Sequence, residues 1–75
     1  MKLNDLKIDD KAVITKVDAD KNIKRRLLDM GFVKGTTIQK VLVSSGDNMV
    51  GYFIKGAVVA IRKDDTKDIE AEMIK

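Results

Sequence analysis

The spacing of apolar residues along the chain switches between two and three-to-four, and the switches mark out its elements. Residues 11–18, KAVITKVD, set Ala12, Ile14 and Lys16 against Val13, Thr15 and Val17, and their β-branched content predicts a strand. From Asp20, a residue type suited to an N-cap, Ile23, Leu27 and Met30 recur at i, i+4 and i+7. That stripe predicts a helix over 21–30. Arg25 and Asp29 fall on the opposite side, and Leu28 on the flank beside Lys24. Gly31 stands where a helix end takes the left-handed conformation, and Phe32 where a Schellman motif packs a hydrophobe back onto Leu27.

After this stop, GTTIQKVLVS (35–44) reads as a strand, SGDN (45–48) as a loop and MVGYFIK (49–55) as a strand. Lys55 and Gly56 make a tight turn into AVVAIRK (57–63), which completes a three-stranded meander. DDTKD (64–68) offers one helical turn, and IEAEMI (69–74) alternates Ile69, Ala71 and Met73 with Glu70, Glu72 and Ile74 as a last strand. The fold expected is mainly β with one α-helix: a partly open, SH3-like small barrel of about five antiparallel strands, with the helix between the first and second. Residues 1–75 are expected to form a single domain. In the third strand Val50, Tyr52 and Ile54 share one face while Met49 and Phe53 occupy the other. A barrel has one inside, so the outer row is either covered by the helix, which has a stripe of its own to bury and leaves Leu28 as the apolar residue left over, or stays partly exposed as a site for a partner protein.

Composition narrows the chemistry. At 75 residues folding hides only about 60% of the unfolded chain's surface, and without cysteine there is nothing but packing to hold it. A cysteine-free small domain fits a cytoplasmic location, and charges in MKLNDLKIDD break up any signal-peptide core. Apolar runs are too short for a membrane helix, so no direct membrane insertion is expected. The absence of histidine as well as cysteine removes the usual general base, thiol nucleophile and soft metal ligands. No enzyme, cofactor or metal site is therefore expected. Ser44 and Ser45 read as hairpin-loop serines, and GDNMVG lacks the Lys-Ser/Thr of a phosphate loop. Asp18, Asp20, Asn22 and Asp29 imitate positions 1, 3, 5 and 12 of a calcium loop, but Ile23 holds the place of its glycine and the helical stripe runs through it. Asp9 with Asp10 and Asp64 with Asp65 read as turn residues.

The net charge of +3 is mild and its signs are interleaved. A nucleic-acid barrel using Lys24, Arg25, Arg26, Lys34 and Lys40 is the alternative reading, although three aromatics give a poor stacking platform. A homodimer that buries the apolar excess is the third.

The stretch RRLLDMGFVKGTTI, with AVVAIRKDDTKDIEAE and the opening LNDLK, resembles the FeoA family of small cytoplasmic ferrous iron transport proteins. Its most specific residues are Leu27, Leu28, Gly31, Gly35 and Thr36; Lys34 stands where the family often has proline. The resemblance implies an SH3-like barrel acting as an accessory to the FeoB membrane transporter, which carries a cytoplasmic GTPase domain. It does not imply iron binding by this chain, and no nucleic-acid partner. The expected docking surface is an apolar anchor with a cationic rim, made by Lys24, Arg25 and Leu28 on the helix flank with Val33 and Lys34 beside it.

Overall fold

In the computed structural model, which describes residues 1–44, 46 and 48–74, five strands make one antiparallel sheet. They are β1 (Lys11–Val17), β2 (Thr37–Val43), β3 (Met49–Ile54), β4 (Ala57–Arg62) and β5 (Ile69–Met73), in the spatial order β4-β3-β2-β1-β5. The helix α1 (Lys21–Asp29) links β1 to β2, as the periodicity predicts. The sheet bends around one core to which the amino-terminal segment, every strand and the helix contribute buried apolar residues. The expected first-to-last order of elements holds throughout.

Local chemistry explains the joints. The Asp20 carboxylate accepts the Ile23 N–H at 3.1 Å and starts α1. At its other end Gly31, at φ +102°, donates to the Leu28 carbonyl while Phe32 donates to that of Leu27, the paired bonds of a Schellman motif. Lys55 and Gly56 both take positive φ, 49° and 86°, which is the two-residue turn whose twist suits a hairpin. The strand after α1 begins at Thr37 rather than at residue 35, because Gly35 (φ +91°) and Thr36 turn back to bond Ile14. The helical turn before β5 is a 3₁₀ turn at Lys63–Thr66.

Two bulges correct the simple alternation. One between Ile14 and Lys16 turns Lys16 to solvent and returns Val17 to the core side opposite Ile69. The other, between Lys40 and Leu42, places Leu42 on the outer face.

A second 3₁₀ turn, Leu3–Asp5, has no counterpart among the predicted elements. Leu3 and Leu6 are fully buried, the backbone of Lys2 pairs with that of Glu70 in an isolated antiparallel β-bridge, and the Ala71 N–H donates to the Met1 carbonyl at 2.8 Å. The two 3₁₀ turns are tied together: Asn4 Nδ2 donates to the Lys63 carbonyl at 3.0 Å and the Thr66 hydroxyl to Asn4 Oδ1 at 2.7 Å. Inside, Tyr52 meets the Phe32 ring edge-on at 5.8 Å. Its hydroxyl is buried with no partner among the described residues, and burial pushes its pKa up to about 12.

Of the outer row, Met49 is half-buried near Ile23 and Met30, while Phe53 is not covered by α1 and stays 45% exposed, so partial exposure rather than full cover is the outcome. The helix uses its own stripe, with Leu27 fully buried and Ile23 and Met30 packed against the core, so no apolar face remains to lay over Phe53. Among the described residues no helix is long and apolar enough to cross a membrane.

Candidate functional site

The helix flank is arranged as its periodicity requires. Leu27 and Leu28 are about 100° apart, so burying the first turns the second out, and Leu28 is 42% exposed. Lys24, Arg25 and Lys34 are exposed and Val33 is half-buried. The loop that carries Val33 is fastened to the last turn of α1, since Gly31 bonds the Leu28 carbonyl and the Val33 N–H bonds the Gly31 carbonyl at 2.9 Å. The flank is thus one apolar side chain among cations, mounted on a capped and rigid joint. Leu27, Gly31, Gly35 and Thr36 serve that joint structurally. Gly31 is itself buried, and a Cβ there would stand 3.4 Å from Lys55 Cδ as well as strain its backbone.

Lys40 departs from its expected place on a cationic surface. It is 7% exposed, and its Nζ donates to the Leu6 carbonyl at 2.7 Å. Its own backbone exchanges bonds with residues 9 and 10: the Asp9 N–H donates to the Lys40 carbonyl and the Lys40 N–H to that of Asp10. The signal was present in the chain, because Lys40 shares the inward parity of Ile38 in β2. The nucleic-acid patch therefore loses one of its five cations, and its one outward ring, Phe53, lies on the sheet rather than on the helix.

Three of the aspartates sit at a cap or a turn. Asp20 caps α1, the Asp10 carboxylate accepts the Lys7 N–H at 2.8 Å, and Asp9 takes φ +76° in a turn. Ser44 Oγ accepts the Met49 N–H at 3.1 Å as a hairpin serine, while Ser45 lies outside the described residues. Among the described residues no cluster of three or more histidine, cysteine or carboxylate side chains is arranged to hold a metal ion.

Sequence reasoning found only part of the exposed apolar surface. On the outer face of the sheet Phe53 is 45% exposed, its β4 neighbour Val58 is 56% exposed, and Leu42 on β2 is 46% exposed. Leu42 lies over Gly51, where a Cβ would stand 2.7 Å from its Cγ. The glycine leaves room for the leucine to lie flat.

The comparisons agree with this architecture. The family model described as the FeoA domain matches residues 1–73. An Fe(2+) transport protein A of Campylobacter jejuni is 35% identical over 74 residues, covering 99% of this chain and 100% of the relative. An Fe(2+) transport protein A/Fe(2+) transporter FeoB fusion protein of Porphyromonas gingivalis is 38% identical over 74 residues, 99% of this chain and 9% of the fusion. Among solved structures, the FeoA protein of Chlorobium tepidum superposes with a TM-score of 0.92 at 27% identity, covering 100% of this chain and 71% of that one. Stenotrophomonas maltophilia FeoA complexed with zinc, described as a prokaryotic SH3 domain protein, gives 0.80 at 26% identity over 96% of this chain and 89% of that one. With the family match running from residue 1 to residue 73 over a shared SH3-like barrel, the chain belongs to the FeoA family.

Proposed function

We propose that this chain is a non-enzymatic accessory factor of ferrous iron uptake, acting in the cytoplasm by docking on the GTPase-bearing region of a FeoB-type transporter. The observation that carries the reading is the Porphyromonas gingivalis fusion, where a relative of this whole chain is joined to a FeoB transporter in one polypeptide. A covalent link between two modules raises their effective concentration, and such a link serves partners that work in contact. The geometry supplies a fitting anchor: Leu28, half out of the helix, rimmed by Lys24, Arg25 and Lys34 with Val33 alongside. One exposed leucine with a cationic rim gives modest affinity that weakens with salt.

The test is an amide chemical-shift titration of the labelled protein with the soluble GTPase domain of the cognate transporter, with a generic RNA in parallel. Shifts confined to residues 24–34 under the GTPase domain support the reading. Leu28→Asp should keep the folded spectrum and weaken docking about tenfold or more, since a buried interface anchor is worth more than about 1 kcal/mol. Unaltered binding by that variant removes the surface from consideration, and shifts under RNA alone favour the nucleic-acid alternative.

A further inference from the structure

The sheet has two edges, and the chain treats them differently. The edge of β5 is covered by the amino-terminal segment, through the backbone β-bridge of Lys2 with Glu70 and the Ala71 N–H bond to Met1. Among the described residues no strand pairs with the outer edge of β4. The two-residue turn makes Ile54 and Ala57 a hydrogen-bonded pair, so Ala57, Val59 and Ile61 direct their backbone groups at β3. The Lys63 N–H bond to Asn48 continues the same parity. Val58, Ala60 and Arg62 therefore turn theirs outward. Natural edges are usually guarded by proline, lysine or a covering element, yet β4 opens with AVVAI, five apolar residues in a row.

Beside this edge runs a groove of about 380 Å³, with Ile23 of α1 and Met30 at its C-cap on one side and Ile61 and Met49 on the other. Its Met and Ile walls suit varied apolar side chains. Its charged lining is Arg26 and Arg62 against Asp65, and Lys55 is exposed at the hairpin tip. We propose that the β4 edge is a strand-addition site, which takes an extended acidic segment whose alternate apolar side chains enter the groove while its carboxylates face Arg62 and Lys55. Such addition joins main-chain bonds for affinity to pockets for every second side chain. A second copy of this chain fits less well, because it brings its own net charge of +3 to an edge already cationic. The site is separate from the helix flank, and it stands or falls independently of the transporter.

A capped heptapeptide of alternating valine and glutamate is the probe, with its valine–lysine counterpart as control. The acidic peptide should shift amides 57–62 together with Ile23 and Met30, and should slow exchange of the Val58 and Ala60 amides in particular. Ala60→Pro, which deletes the central outward N–H, should abolish this. Arg62→Glu, at an exposed position, should keep the fold and weaken binding about fivefold, an effect that disappears in high salt. Equal binding of the lysine peptide, shifts that spare β4, or unaltered exchange at Val58 and Ala60 would overturn the proposal. So would protection of those two amides in the free protein that grows with its concentration, since a second copy would then hold the edge.

Discussion

The two ends of the sheet are built from similar strands and finished in opposite ways. At β5 the side chains of Leu3 and Leu6 are fully buried, residues 1 and 2 pair beside the strand, and Asn4 and Thr66 lock the flanking 3₁₀ turns together. At the other end β4 starts from a bare hairpin, with Val58 and Ala60 exposed and the helix standing off across a groove. The difference teaches where the core is closed. The amino-terminal segment does for β5 what no segment among the described residues does for β4, so stability is concentrated at one end and accessible main chain at the other.

Substitutions can break that contrast, beginning with the covered side. Leu3→Ala removes a fully buried side chain from beneath the β5 edge and should cost about 2–5 kcal/mol, read by urea denaturation. It should also speed exchange of the Ala71 amide while leaving Val58 unaltered; a loss under about 1 kcal/mol would mean that the segment is a passive cover. Next comes Tyr52, in the core shared by both ends. Its phenol titrates near 12 when folded against 10.0 otherwise, so above pH 10 the unfolded state gives up its proton first. Stability is complete below pH 10 and falls as pH rises through about 12, by roughly 2–3 kcal/mol for a two-unit shift. Tyr52→Phe should remove that alkaline loss and, because the hydroxyl has no partner among the described residues, leave neutral stability equal or higher. A wild-type-like alkaline transition in the phenylalanine variant would assign the loss to other groups.

Thr66→Val keeps shape but leaves Asn4 Oδ1 without its 2.7 Å donor, and should lower stability by about 1–2 kcal/mol in thermal unfolding. Val58→Lys, on the bare side, should stay within about 0.5 kcal/mol of the parent while making the edge resistant to added strands. A large loss there would show that β4 is supported from outside after all.

Much of this was legible in the chain because it is local. The stripe of α1, its Asp20 cap, the Gly31–Phe32 stop and the Lys55–Gly56 turn depend on residues within about five positions of one another, and each formed where the pattern put it. The helix flank with Leu28 outward follows from the same arithmetic. Lys40 was misplaced because a cation suggests a surface, yet its partner is the Leu6 carbonyl, which only the fold brings within reach. The outer sheet face was only half legible for a related reason: periodicity says that two apolar rows exist, and not which of them the helix will meet.

Sequence by itself thus determined the order of the five strands and the helix, the joints at both ends of α1 and at the Lys55–Gly56 hairpin, and the lack of histidine and cysteine chemistry, but not the amino-terminal 3₁₀ turn. These are set by backbone conformational preference, side-chain period and residue inventory, all of which are read within short windows. Tertiary structure alone decided that residues 1–6 seal β5, that α1 uses up its apolar stripe in the core, and that β4 is left open beside a cationic groove. Those outcomes turn on which distant surfaces meet, and burial is decided by the whole assembly of elements rather than by any one of them.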